Sequence, residues 1–143
     1  MNREYDYIKN LSLEERRIFV ECFCCIIYTD ANVAKEEIDF LKSIGKLYEI
    51  EEKEIVSILK SLKKSTILEK TSTIKDRKKS LNLIKELCYL ANSDKELDDE
   101  EIDFIIDVAE SMNIEGEKIK QINKWVLEKI VLQKTGNMIL END

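Results

Sequence analysis

The sequence of 143 residues contains no proline, no histidine and only three glycines. Proline and glycine shape turns and interrupt regular structure, so their scarcity favours helices joined by short polar turns. A β-sandwich or a Rossmann-like domain would need more glycine than this chain has. A chain of this length is long enough to enclose one hydrophobic core. We therefore expect a single all-α domain of about seven helices over residues 1–143.

Long apolar runs are also absent. The longest, Ile18–Tyr28, is too short to cross a bilayer and is interrupted by Glu21. The sequence has four cysteines, which are Cys22, Cys24, Cys25 and Cys88. Because they lie on apolar faces at a spacing unlike that of a zinc site, we expect buried, reduced thiols. No signal peptide opens the chain, so we expect a cytoplasmic protein with no transmembrane segment, while peripheral association with a membrane complex stays open.

The net charge is −7, with basic residues concentrated between Lys60 and Lys85 and acidic ones between Asp94 and Glu117. One interpretation is two solvated faces on an ordinary protein surface. The other is a dipolar surface that docks partners of opposite charge. Overall acidity disfavours nucleic acid as a partner.

An acidic turn followed by an amphipathic helix occurs twice, and the two copies align without a gap. The equivalent positions include Asp30 and Asp94, Val33 and Leu97, Glu36–Phe40 and Glu100–Phe104, and Ile50 and Ile114. This pattern predicts two related helix–turn–helix units. We place them at about 12–63 and 73–134, packed into one domain around the apolar helices Ile18–Tyr28 and Leu81–Ala91.

Several helix boundaries are marked by capping residues. Ser12 and Glu15 form a capping box that opens the first core helix, and Asp98 with Glu101 marks the start of the helix after the second acidic turn. The polar segment Lys64–Thr73 is predicted to be a mobile connection. Gly136 is predicted to end the last helix, leaving 135–143 as a flexible tail.

The chain resembles the TerB-like family, named for a tellurite-resistance protein and related to the N-terminal domain of a DnaJ-like co-chaperone. The resemblance rests on the segments Ile27–Glu37 and Ala91–Glu101 and on the Leu-Ser-x-Glu-Glu start at Leu11–Glu15. The glycine that the family has after the aspartate is Ala31 in one copy and Lys95 in the other, so the turns here are expected to differ in shape. The resemblance implies an all-α fold and a place in a stress-response or envelope-associated system.

The acidic turns have two interpretations. Their carboxylates suit a hard divalent cation such as Mg²⁺ or Ca²⁺, and the resemblance implies metal responsiveness. The candidate ligands are Asp30, Glu37, Asp94, Glu96, Asp98 and Glu101. In the structural interpretation, the aspartates hold the turns and the glutamates complement helix dipoles without any metal. An EF-hand is excluded, because Ile105 and Leu41 stand where its bidentate glutamate is required.

Catalysis has little support, since the chain lacks histidine and a glycine-rich phosphate loop. We therefore expect no enzymatic activity and no obligatory cofactor. The sequence favours an interaction module that presents its acidic turns to a protein partner. The alternative is a divalent-cation-binding protein that uses Asp30–Glu37 and Asp94–Glu101.

Overall fold

A computed structural model of the protein describes residues 5–27, 35–92 and 99–141. Within these ranges the chain forms one 3-10 helix and seven α-helices, without a β-strand. In chain order they are the 3-10 helix Asp6–Asn10, α1 Leu13–Ile27, α2 Lys35–Tyr48, α3 Glu52–Lys60, α4 Lys64–Thr71, α5 Arg77–Asn92, α6 Asp99–Ser111 and α7 Gly116–Glu141. The prediction of an all-α protein is confirmed.

Helices α1 and α5 form the centre of the bundle. Helix α1 contacts α2, α3, α4 and α5, and α5 also contacts α6 and α7. The side chains that α1 and α5 bury completely or almost completely include Phe19, Val20, Cys22, Phe23, Leu83, Ile84 and Leu87. A helix covered on most of its surface can be apolar all round, which is why α1 has only one charged residue, Glu21, after Arg17.

The helix starts show how the sequence encodes local structure. The Ser12 N–H donates to Glu15 Oε1 at 2.8 Å, and the Glu15 N–H donates to Ser12 Oγ at 3.1 Å. The predicted capping box is therefore present. In α5 the Lys79 N–H donates to Asp76 Oδ1 at 3.1 Å, so this helix begins after Asp76, a few residues later than the start of about 73 predicted for the second unit.

The helices of the two halves begin at a constant spacing. Three pairs of starts lie 64 residues apart, namely Leu13 and Arg77 for α1 and α5, Lys35 and Asp99 for α2 and α6, and Glu52 and Gly116 for α3 and α7. This is the spacing at which Asp30 aligns with Asp94 in the sequence. Helix α4 lies between the two sets and contacts both α1 and α6.

Helices α2 and α6 also end in the same way. Glu49 and Asn113 follow them with left-handed φ angles of 58° and 60°. The next residue, Ile50 or Ile114, donates its N–H to the carbonyl five residues earlier, at 2.7 and 2.9 Å respectively. Both isoleucines are buried. The hydrogen bond is that of a Schellman motif, in which a buried apolar residue commonly follows the left-handed one.

The polar segment after α3 differs from its prediction as a mobile connection. Residues Lys64–Thr71 form α4, which buries Ile67 and Thr71. The hydroxyls of Thr71 and Ser111 are hydrogen-bonded at 2.6 Å, which ties α4 to the end of α6. The local sequence indicates this helix only weakly, because few side chains of such a short helix face the core.

Helix α7 is longer than predicted. It continues through Gly136 to Glu141, so the predicted end at Gly136 is wrong. No glycine in the described residues has a positive φ. A glycine inside an exposed helix costs only about 1 kcal/mol relative to alanine, which is too little to end a helix by itself.

Basic residues from the middle of the sequence form four ion pairs, each with an acidic residue of another helix or of a turn. They are Lys64–Asp107 at 2.6 Å, Lys70–Glu21 at 2.8 Å, Arg77–Glu115 at 2.8 Å and Lys79–Glu15 at 2.9 Å. The lysine-rich segment thus contacts acidic residues from both halves of the chain, and part of the charge asymmetry seen along the sequence is paired in the fold.

Candidate functional site

The candidate cation ligands belong to the segments that lead into α2 and α6. Asp30, Asp94, Glu96 and Asp98 lie outside the described residues. Glu37 is the third residue of α2, but its side chain also lies outside what the structure describes. Convergence of the acidic turns on a cation therefore stays a prediction.

Glu101 is the one member of this set whose side-chain burial is described. It is the third residue of α6 and only 6% exposed, while Asp99 and Glu100 in the same turn are exposed. A carboxylate in the first turn complements the partial positive charge of a helix N-terminus. Across residues 5–27, 35–92 and 99–141, no group of three or more Cys, Asp or Glu side chains is placed to hold a metal ion.

A buried polar cluster that sequence analysis missed joins the 3-10 helix, α2 and α5. The Tyr7 hydroxyl donates to Glu86 Oε2 at 2.7 Å and is also hydrogen-bonded to the Tyr48 hydroxyl. Tyr7 and Glu86 are each 8% exposed, and Tyr48 is 2% exposed. Lys85 Nζ lies 4.0 Å from Glu86 Oε1. The fold therefore encloses a carboxylate together with phenol donors.

Burial sets the protonation of this cluster. It raises the pKa of Tyr7 far above its usual value, and the nearby Glu86 charge raises it further. The pKa of Tyr48 is also raised, first by burial and then by Glu86. Both phenols remain protonated at neutral pH. Because Tyr7 gives its single proton to Glu86, Tyr48 donates to the Tyr7 oxygen, forming a chain of hydrogen bonds that ends on the carboxylate.

The sequence contained one signal for this cluster. Glu86 lies three residues after Leu83 and directly before Leu87, so it falls on the apolar face of α5. An acidic residue on a core-facing stripe requires polar partners. Those partners come from segments far away in sequence, which no local pattern identifies.

Burial lowers the reactivity of the cysteines. Cys22, Cys24 and Cys88 are buried, Cys25 is half-buried, and all four are free thiols. Burial raises the pKa of Cys24 and of Cys88 to about 12. A thiol with such a pKa stays protonated at neutral pH and reacts slowly. The prediction that these residues serve as small core hydrophobes is confirmed for the three buried ones.

From Leu127 to Leu140, α7 exposes an unusual amount of apolar surface. The exposed large apolar side chains of this stretch, with their exposed fractions, are Leu127 at 41%, Val131 at 61%, Leu132 at 73%, Met138 at 64%, Ile139 at 68% and Leu140 at 85%. Earlier in the same helix, Val126 is fully buried. The end of α7 therefore carries apolar side chains that the described part of the bundle leaves in contact with solvent. We call these six side chains the α7 apolar surface.

No protein-family model, no curated protein and no solved structure matches this chain. Among the helices that the structure describes, none is long and apolar enough to cross a membrane. Function must therefore be inferred from the side chains themselves.

Proposed function

We propose that this protein is a non-enzymatic interaction module of the TerB-like type, within a stress-response or envelope-associated system. It binds a protein partner through the α7 apolar surface, and the acidic residues at the start of α6 contribute charge. The observation that carries this proposal is the exposure of six large apolar side chains within one segment of a single helix.

The proposed TerB-like class is supported by the internal organisation of the fold. Three pairs of helices start 64 residues apart, and α2 and α6 end in the same type of turn. The acidic segments that carry the family resemblance stand at equivalent positions before α2 and α6. A duplicated helix–turn–helix unit accounts for all of these relationships.

The role of α7 is supported by the cost of leaving apolar surface in water. Single exposed apolar residues are normal on proteins, but a contiguous group marks an interaction site. Val131, Leu132 and Ile139 lie in the second half of the helix, each more than half exposed. Burying side chains of this kind contributes about 25 cal/mol for each Å² removed from water. A partner that covers this segment gains that free energy.

The acidic start of α6 adds specificity. Asp99, Glu100 and Asp103 are exposed on this helix. Charged residues at the edge of an interface raise the association rate and exclude partners of like charge more than they raise affinity. We therefore expect a partner with basic residues around an apolar contact.

Site-specific photo-crosslinking in the native cell tests the proposal. A photoreactive residue placed at Leu132 or Leu140 is expected to give one discrete adduct with another protein. The same residue at Val56, which is 45% exposed on α3, serves as the matched control and should give none. Asp99→Asn combined with Glu100→Gln should weaken the adduct and make it less sensitive to salt.

Three results would contradict the proposal. Adducts of equal yield at Val56 and Leu132 would show non-specific contact. The absence of adducts at both Leu132 and Leu140 would remove the α7 interface. An adduct only between two copies of this chain would mean that the apolar surface serves self-association.

A second candidate function is divalent-cation binding at the acidic turns, favoured by the run of carboxylates Asp94, Glu96, Asp98 and Glu101 in the sequence. Calorimetric titration of Mg²⁺, Ca²⁺ and Mn²⁺ into chelator-stripped protein tests this role. Binding that Asp94→Asn and Glu101→Gln abolish would favour it, whereas no heat from any of the three ions in folded protein would reject it.

A further inference from the structure

A groove of about 360 Å³ lies between α5 and α7. Each helix contributes four side chains to it, at the i, i+3, i+4 and i+7 spacing of a single helix face. Three of these side chains are lysines, namely Lys78, Lys85 and Lys118, and none is acidic. The chain as a whole has a net charge of −7, so a groove lined by cations alone stands out as a candidate site for an anion.

Lys78 and Lys118 carry the positive charge that a guest can reach. Lys78 is exposed and Lys118 is half-buried. In the part of the chain that the structure describes, neither forms an ion pair. Glu115 is close enough for its charge to interact with Lys118, but its carboxylate is paired with Arg77 at 2.8 Å. Both ammonium groups therefore keep N–H donors for a guest.

The remaining charges near the groove do not cancel this preference for an anion. Lys85 is already engaged, because its Nζ lies 4.0 Å from Glu86 Oε1, so the pair is close to neutral. Asp76 and Glu117 flank the starts of the two helices, but neither lines the groove. Asp76 accepts the Lys79 backbone N–H at 3.1 Å. Anion binding is therefore assigned to the two lysines at the helix starts.

Further along α7 the groove becomes apolar and aromatic. Leu81 and Ile122 line it and also pack against the core. Trp125, the single tryptophan of the chain, lines it as well and is 49% exposed. Lys129 Nζ lies 5.3 Å from the centre of the Trp125 ring, so the charge beside this ring is also positive. Trp125 follows Lys118 by seven residues, or about 10 Å along a helix, a distance that a small molecule can bridge with the lysine side chain.

We propose that this groove binds a small organic anion with an aromatic body. The anionic group lies between the ammonium groups of Lys78 and Lys118, and the ring packs on Leu81 and Ile122 beside Trp125. The volume lies within the range of small-molecule sites. This site is separate from the interface proposed for α7, because none of the six residues of the α7 apolar surface lines the groove.

Three probes of similar shape separate charge from apolar burial. 3-Phenylpropionate is negative at neutral pH, 2-phenylethanol is neutral and phenethylamine is positive. We expect 3-phenylpropionate to bind saturably with one-to-one stoichiometry in NMR titrations, with shift changes at the Trp125 indole N–H and at the Gln121 amide. Its affinity should exceed that of either other probe by about fivefold or more and should fall as salt is added.

Charge-removing variants with a matched control identify the lysines. Lys78→Gln and Lys118→Gln should each lower the affinity for 3-phenylpropionate by about two- to fivefold, and the double variant by about tenfold. Lys60→Gln removes an exposed lysine at the end of α3, outside the groove, and should leave binding unchanged. These lysines form no ion pair in the described chain, so the variants are expected to fold.

Trp125 fluorescence tests the charge of the groove without any organic probe. Relative to free N-acetyltryptophanamide and at constant ionic strength, iodide should quench Trp125 more strongly than caesium does, although the whole protein is negative. The double variant of Lys78 and Lys118 should lose this preference for iodide.

The proposal is overturned if 3-phenylpropionate shows no saturable binding, or if phenethylamine or 2-phenylethanol binds equally well. It is also overturned if the double lysine variant binds with unchanged affinity, or if caesium quenches Trp125 as strongly as iodide on the same relative scale. None of these results affects the crosslinking at Leu132, so the failure of one proposal can be distinguished from the failure of the other.

Discussion

Lys79 Nζ lies 2.9 Å from Glu15 Oε1, the same carboxylate oxygen that closes the capping box of α1. Both residues occupy the third position of their helix, α1 for Glu15 and α5 for Lys79. Equivalent positions of the two halves are therefore in contact. One position carries a glutamate and the other a lysine, so the two halves are linked there by an ion pair. One glutamate both begins a helix and links the two central helices.

This arrangement predicts a pH-dependent contribution to stability. Burial opposes the ionisation of Glu15, but hydrogen bonds from the Ser12 N–H and from Lys79, with the Lys79 charge, outweigh it and hold the pKa of Glu15 below its usual value. A lowered folded-state pKa stabilises the protein above the unfolded pKa of about 4.3, and this stabilisation is lost as pH falls through the folded pKa.

Glu15→Gln keeps a capping acceptor but removes the charge. We expect it to lower the free energy of unfolding by about 1 kcal/mol at pH 7, a typical value for a partly buried ion pair. The difference in free energy of unfolding between this variant and the wild type, measured by urea denaturation, should narrow as the pH is lowered from 5 to 3. Glu14→Gln, at an exposed neighbouring position, is the control. A difference that stays constant over this range would mean that the Glu15 charge does not contribute.

The phenol cluster predicts opposite outcomes for two similar substitutions. Tyr7→Phe removes the donor to Glu86 and the partner of Tyr48, so the free energy of unfolding should fall by about 2–3 kcal/mol. Tyr89→Phe removes a buried hydroxyl without a partner in the described residues, so the protein should keep or gain stability. Thermal denaturation of both variants provides the comparison. Equal destabilisation would show that Tyr89 has a polar role like that of Tyr7.

Two helical glycines are expected to respond in opposite directions. A Cβ at Gly45 would lie 2.9 Å from the Ile50 carbonyl oxygen and would also collide with Ile55 Cδ1. Gly45→Ala should therefore destabilise the protein by about 1–3 kcal/mol despite the better helix propensity of alanine. Gly136 has no atom within 4 Å of an added Cβ, so Gly136→Ala should stabilise α7 by up to about 1 kcal/mol. Urea denaturation measures both changes, and a stabilising Gly45→Ala would contradict the close approach of α2 and α3.

The left-handed residue after α2 predicts a stabilising substitution. Glu49 has a φ of 58°, a region that is unfavourable for side chains other than those of glycine, asparagine and aspartate. Glu49→Gly should raise the free energy of unfolding by about 0.5–1 kcal/mol, because the ion pair it removes, with Arg16 at 3.2 Å, involves a carboxylate that is 81% exposed.

Asn113→Gly is the matched comparison, since Asn113 adopts a φ of 60° at the equivalent position. Asparagine tolerates this region, so the gain there should be smaller. Both changes can be followed by the melting temperature. A loss of stability in Glu49→Gly would mean that the contact with Arg16 outweighs the backbone strain.

Local sequence predicted the features that depend on neighbouring residues. Ser12 and Glu15 predicted the start of α1 correctly, because a capping box is completed within four residues. Asparagine tolerates the left-handed conformation that Asn113 adopts after α6, so this helix end is also favoured by the local sequence. The predicted helix end at Gly136 was wrong, since glycine permits a helix to end without requiring it.

Features that depend on distant segments could not be predicted in this way. Tyr7, Tyr48 and Glu86 come from three elements, and only their packing brings the phenols to the carboxylate. Helix α4 was missed because its stability comes from the burial of Ile67 and Thr71 against other helices. The groove lined by Lys118 and Trp125 likewise exists only between packed helices.

The sequence by itself determined the helical class, most helix starts and the constant spacing between the two halves, because capping, turn formation and apolar periodicity act over a few residues. Tertiary structure alone decided which charges pair, as for Lys79 and Glu15, and which polar groups are enclosed. Those outcomes depend on desolvation and on distances between segments far apart in the chain. Glu86, one acidic residue among many in the sequence, is buried by the fold and accepts a hydrogen bond from Tyr7.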